Sequence, residues 1–193
     1  MKTEPKQADK KNTRKPAAKE AKIREQLYPK NAVLIMQDFY GMLYGFIAKR
    51  VIDSFGEEGE QVVRRALRDY GVTRGKELKE KHAQLGLENH IVNLMTYYDL
   101  PSSDELETKR EIFEPEQEVT ETRDCGLYDV WKKHGMLREG KIYCEEIHHA
   151  MWAAYNEKLV VTQKEILTRG NDRCTWEIHL GGGIHPKTDT AQK

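Results

Sequence analysis

The sequence predicts an α+β fold: a helical N-terminal half packed on a small antiparallel sheet with intervening helices. Two observations carry that reading. Apolar residues recur at steps of three and four through residues 34–55 and 57–84, which is the period of a helix face. From Arg173 onward Cys174, Trp176, Ile178 and Leu180 alternate with polar neighbours, which is the period of a strand. Helices first and strands afterwards, with helices between them, is the α+β order.

Residues 34–55, LIMQDFYGMLYGFIAKRVIDSF, form the most apolar stretch, but Gln37, Asp38, Lys49 and Arg50 punctuate it. No run in the chain reaches the length of a membrane span, so this one reads as a core helix. Its expected buried face is Leu34, Ile35, Phe39, Met42, Phe46 and Ile47, a group dense enough in aromatics to line an apolar pocket instead. Gly41 and Gly45 let another element approach closely or bend the helix. Residues 57–84 read as one or two helices, with Val62, Val63, Ala66, Leu67 and Tyr70 inward and interruptions near Gly71 and Gly75. A shorter helix is expected over 88–98, followed by a loop at LPSSDE.

Between Lys109 and Arg123 the pattern becomes extended, with Val119, Thr120 and Thr122. Cys125 marks the change to a short helix ending at Gly135. Residues 142–155 carry Ile147, Met151, Ala154 and Tyr155 at helical spacing. A strand over 159–168, a turn at RGND and a second strand over 173–180 make a hairpin. There is no internal repeat.

A chain of 193 residues is long enough for one domain with a sizeable core. Its 32 Lys and Arg balance 32 Asp and Glu, so nothing global favours nucleic acid as a partner. Only the start is lopsided, with nine basic residues against four acids between Met1 and Gln26. That segment has almost no large apolar residue, so burial cannot offset the entropy of ordering it. It also lacks the apolar core of a secretion signal. The expected organisation is a mobile basic tail over 1–27, a single α+β domain over 28–180 and a flexible, glycine-rich tail over 181–193. These features lead us to expect a cytoplasmic protein with neither nucleic acid nor membrane as a partner, and leave a homo-oligomer open.

The three cysteines are odd in number and lack the spacing of a disulfide framework, so reduced thiols are expected. Cys144 and His148 are four residues apart and stack on one helix face, at the edge of the buried stripe where a pocket would meet them. Cys174 falls on the apolar side of its strand. A free cysteine commonly behaves as a small buried hydrophobe, and Cys174 reads equally well as plain core. Cys125, Cys144, His148 and Cys174 also make a ligand set suited to zinc or a redox metal, although no Cys-x-x-Cys pair supports it. His82, His90, His134, His179 and His185 are isolated and read as surface or internally satisfied residues.

The order of these features resembles the L-2-amino-thiazoline-4-carboxylic acid hydrolase family. The similar elements are a cysteine after a polar strand in RDCGLYDVW, a cysteine opening a helix in YCEEIHHAMW, and the turn GNDRC at 170–174. Upstream, FGEEGEQVVRRALRDYGVTRGKEL looks like the family's helical half, so the resemblance runs from about Tyr28 to Leu180. It implies a small-molecule substrate and a hydrolase that opens a small cyclic amidine at a non-peptide carbon–nitrogen bond, giving an N-carbamoyl amino acid. Such chemistry needs a nucleophile or activated water, a proton donor and a cation for the carboxylate. Under this resemblance Cys144 with His148 supplies the nucleophile, because a nearby imidazole lowers a thiol pKa, with Cys125 and Cys174 in the same site. His149 and Asp129 are candidate proton carriers, and Arg169 or Arg173 the carboxylate holder. No cofactor is called for, a zinc or redox metal being the alternative. The competing function is a small-molecule or metal-binding sensor or carrier using the same cysteine-lined pocket.

Overall fold

The computed structural model describes residues 22–23, 26–27, 31–100 and 106–181. The expected tails therefore lie outside the described residues, apart from Lys22, Ile23, Gln26, Leu27 and Gly181, and so does His185. The fold is α+β. Helix α1 (Ala32–Gln84) is followed by α2 (Ile91–Thr96), β1 (Thr108–Phe113), β2 (Gln117–Thr122), α3 (Gly126–Lys133), α4 (Leu137–Tyr155), β3 (Leu159–Gln163) and β4 (Cys174–Leu180). All strand pairs are antiparallel, in the order β1-β2-β4-β3.

Helix α1 is two arms joined at Gly56, whose φ of 59° and ψ of −131° are open to a residue without Cβ. Nothing lies within 4 Å of where a Cβ would stand, so the glycine serves the backbone bend and not a close contact. The first arm buries Leu34, Gly41, Gly45, Ala48 and Ile52. The absent side chains let α3 come close: a Cβ on Gly41 would lie 3.2 Å from Leu127, and the indole Nε1 of Trp131 donates to the Gly41 carbonyl at 3.0 Å. The expected core face is corrected here. Phe39, Phe46 and Ile47 are exposed, because the glycine side of the helix, not the bulky side, meets the core.

The second arm is also corrected. It continues as helix through Gly71 and Gly75, which face α4. A Cβ at Gly71 would stand 2.8 Å from the Ile147 carbonyl oxygen, and one at Gly75 would run into that of Met151. Two helix backbones thus approach where neither has bulk between them. Arg64 fastens the same crossing, with Nη1 donating to Glu145 at 3.1 Å and Glu146 at 2.8 Å.

Helix α4 lies between the arms and the sheet. One core gathers Ile52, Leu67, Trp131, Met136, Tyr143 and Ile147; a second gathers Leu78, Leu94, Met151, Tyr155, Leu159 and Ile178. The hairpin of β3 and β4 is as expected, but β3 ends at Gln163, and residues 167–169 form a 3-10 turn closed by Gly170 at φ 92°. The single extended stretch expected over 109–123 is two paired strands reversing at residues 114–116.

Candidate active site

Helix α4 packs on strand β4 through His148 and Trp152, whose ring centroids lie 4.9 Å and 5.2 Å from that of Trp176. Cys174, Trp176 and Ile178 pair in register with Thr122, Thr120 and Glu118 of β2, and alternation places all six on one face of the sheet. On β1, Thr108 and Arg110 pair with Thr122 and Thr120 and extend that face outward. The register shift between Arg110 and Ile112 is a bulge, which re-aims a side chain relative to its neighbours. The inner face is consequently polar on β1 and β2 but apolar on β4.

Where the polar half meets α4 there is a cavity of about 180 Å³, lined by Arg110, Glu118, Thr120, His148, Trp152 and Trp176 among others. Glu118 is only 2% exposed. Its Oε1 accepts from the Thr120 hydroxyl at 2.6 Å and from Arg110 Nε at 3.1 Å, whereas Oε2 is buried with no partner among the described residues. The His148 ring centroid lies 5.0 Å from that of Trp152, the planes tilted by 37°, and 4.9 Å from that of Trp176, edge-on, and its Nδ1 is likewise buried without a partner among the described residues. Burial, with Arg74 and His149 adding repulsion, pushes the imidazole down to about 3, so it is neutral at ordinary pH. Two unpaired polar atoms beside a guanidinium, in an aromatic-walled cavity, suit a small flat polar ligand, since an unpaired buried polar group is costly unless something binds it.

The three thiols lie next to this cavity. Cys174 packs with Ile166 and Leu167, and Cys125 and Cys144 pack against them, so the strand, the helix and the hairpin converge as the sequence suggested. The Leu167 amide donates to Cys174 Sγ at 3.4 Å. The expected activation of Cys144 is reversed: burial raises its thiol well above the usual range, the neighbouring thiols of Cys125 and Cys174 add to that, and Thr168 only partly opposes it. Burial likewise pushes Cys125 up to about 11 and raises Cys174. Among the described residues no three His, Cys, Asp or Glu side chains are grouped so as to hold a metal ion.

The remaining candidates lie outside the cavity. Asp129 is exposed on α3. Arg169 binds Glu145 at 2.7 Å, and Arg173 binds Glu165 at 2.7 Å and Glu121 at 3.2 Å, so both are engaged in surface ion pairs. His149 is exposed, with its ring 6.2 Å from that of Trp176. His82 is a satisfied buried histidine, held between the Tyr155 hydroxyl at 2.8 Å and the Tyr97 carbonyl at 3.2 Å.

Sequence reasoning missed Arg110, Glu118 and Thr120. The available signal was a strand pair whose polar residues recur at every second position, but such a strand reads as one with its polar side in water.

A family model described as L-2-amino-thiazoline-4-carboxylic acid hydrolase matches residues 34–177. No protein of curated function matches the chain. Among solved structures, the trafficking protein particle complex subunit 3 from Naegleria fowleri, covalently bound to palmitic acid, is similar at 11% identity. That match covers 79% of this chain and 99% of the other, with a TM-score of 0.49. No helix among the described residues is long and apolar enough to cross a membrane.

Proposed function

Because the chain belongs to the L-2-amino-thiazoline-4-carboxylic acid hydrolase family, we propose that it is a hydrolase of small cyclic amidines of the thiazoline carboxylate type. The observation that carries this reading is the meeting of Arg110, Glu118 and His148 in one small cavity with two unpartnered polar atoms. Such a substrate is a flat ring bearing a carboxylate and an amidine. Arg110, engaged with Glu118 only through Nε, offers its remaining donors to the carboxylate. Trp152 and Trp176 flank the ring, and the Glu118 Oε2 faces the amidine.

In the proposed reaction, water attacks the amidine carbon while Glu118 takes one of its protons. The π pair of the carbon–nitrogen double bond moves to the ring nitrogen, which receives that proton. The carbon–nitrogen double bond is thus the bond that is hydrated, and the ring opens at the adjacent carbon–sulfur bond: the tetrahedral carbon re-forms a carbonyl by expelling the ring sulfur, and the second proton of the water ends on the thiol. The product is an N-carbamoyl amino acid with a free thiol. Neutral His148 orients the water or the ring nitrogen through Nδ1, and Thr120 fixes the carboxylate that does the proton transfer.

A rival mechanism for the same reaction is attack by Cys144. Its support is the adjacency of the thiol cluster to the cavity; the raised thiol of Cys144 weighs against it. Cytoplasmic location belongs to this proposal. The test is to incubate purified protein with 2-amino-thiazoline-4-carboxylate and follow free thiol and the carbamoyl product. Turnover that disappears in Glu118→Gln supports the reading. Saturable binding with no product would instead assign the cavity to a sensor or carrier.

A further inference from the structure

The first arm of α1 carries a second apolar face, opposite the glycines. Phe39, Leu43, Phe46 and Ile47 are 59%, 64%, 56% and 57% exposed, and Met36 is 43% exposed. Met36, Phe39, Leu43 and Phe46 advance by three, four and three residues, the spacing of a seam between two helices. Beside that ridge runs a groove of about 520 Å³ between the two arms, its walls formed by Tyr40, Tyr44 and Val51 on one side and Val62, Ala66 and Tyr70 on the other.

We propose that this face is a two-fold dimer interface, with the first arm packed antiparallel against the same arm of a second copy. Three features of the chain fit a second copy. First, the apolar pattern is palindromic about Leu43. Counting three and four residues back gives Tyr40 and Phe39, and three and four forward gives Phe46 and Ile47. In an isologous contact residue i meets j and j meets i, so Phe39 faces Ile47, Tyr40 faces Phe46, and the two Leu43 meet on the axis.

Second, one surface carries both a ridge and a groove, so each copy's Phe39 and Phe46 enter the other's groove. Third, the area is right. With about 150–250 Å² for an aromatic side chain, the exposed parts of Met36, Phe39, Leu43, Phe46, Val62 and Tyr70, with Ile47, amount to roughly 700 Å². A standard interface buries about 800 Å² per partner. A face of this size on a monomer would be an aggregation hazard. Apart from Phe46, whose ring lies 6.1 Å from that of His134 at the end of α3, the ridge residues lie on the side of the first arm away from α3, and none of the interface residues lines the cavity at Glu118.

Analytical ultracentrifugation of the full chain at micromolar concentration tests the proposal. The expected result is a dimer, converted to a monomer with unchanged circular dichroism by Leu43→Asp. Direction is read by disulfide trapping. Leu43→Cys should crosslink to itself under mild oxidation. Phe39→Cys and Ile47→Cys should crosslink when the two variants are mixed, and poorly when either is alone. A monomeric wild type overturns the proposal and assigns the face to another part of the chain or to a different partner. A dimer unaffected by Leu43→Asp overturns it by placing the interface elsewhere. Efficient crosslinking of Phe39→Cys to itself overturns the antiparallel arrangement.

Discussion

Cys144 and His148 stand one helical turn apart on α4 yet face different surroundings. The thiol packs against the cluster of Ile166, Leu167 and Cys174, and the imidazole meets the Trp176 ring edge-on, centroids 4.9 Å apart, in the polar cavity. The two are therefore separable by mutation. Under the water mechanism Cys144→Ser keeps its turnover within about tenfold of wild type, because no bond to sulfur is made. Slow alkylation of the native thiols by iodoacetamide at pH 8, against rapid alkylation after unfolding, should accompany it. A folded Cys144→Ser variant without measurable turnover would transfer the chemistry to the thiol.

Glu118 and Arg110 divide the work by role, and kinetics should resolve them. Glu118→Gln keeps the shape and loses the proton acceptor, so kcat should fall by about 100-fold or more with little change in KM. Arg110→Ala should raise KM for a carboxylate substrate by roughly tenfold or more, with partial recovery in Arg110→Lys, which keeps the charge without the fork. Equal effects of both variants on substrates with and without the carboxylate would remove Arg110 from substrate binding.

Much of the fold was legible because periodicity tracks burial. The two arms, the short helix before Gly135, helix α4 and the β3–β4 hairpin all follow from spacing of three, four or two. The convergence of the thiols followed too, since alternation puts Cys174 under α4. The polar cavity was not legible, for a physical reason. On β1 and β2 the apolar Ile112 and Val119 pair with one another on the face opposite Glu118 and Thr120, the reverse of the usual apolar-inward assignment. Glu118 and Thr120 are buried although they read as solvent-facing. Arg169 and Arg173 looked available because sequence does not reveal that Glu145, Glu165 and Glu121 hold them. On α1 the helix has two apolar faces, and composition favoured the bulky one over the glycine face that the core uses.

The close crossing of α1 and α4 makes Gly75 sensitive. Gly75→Ala forces its methyl against the Met151 carbonyl, and relief requires moving one helix backbone, so the cost should be about 1–3 kcal/mol in urea unfolding. Gly71→Ala, nearest to the Ile147 carbonyl at 2.8 Å, should cost less. If Gly75→Ala stabilises the protein, as alanine would in an unobstructed helix, the backbones are farther apart than this packing requires.

The last expectation concerns pH and follows from His148. Burial first, then Arg74 and His149, push its imidazole from 6.5 down to about 3. Between those values the unfolded chain binds a proton there that the folded chain refuses. The stability tied to the neutral ring is therefore complete above pH 6.5 and declines as pH falls toward 3, by at most about 1.4 kcal/mol per pH unit. His148→Gln removes this proton uptake from the unfolded chain while leaving the carboxylates to titrate as before. Urea unfolding at pH 7 and pH 5 should then show wild type losing up to about 2 kcal/mol more than the variant. Equal losses would mean that the ring titrates near its ordinary value and is not buried as described. Because a neutral ring does not change charge between pH 5 and 8, the pH–rate profile of wild-type hydrolysis should also lack an inflexion from His148 in that range. A histidine acting as the base for Cys144 would place one there.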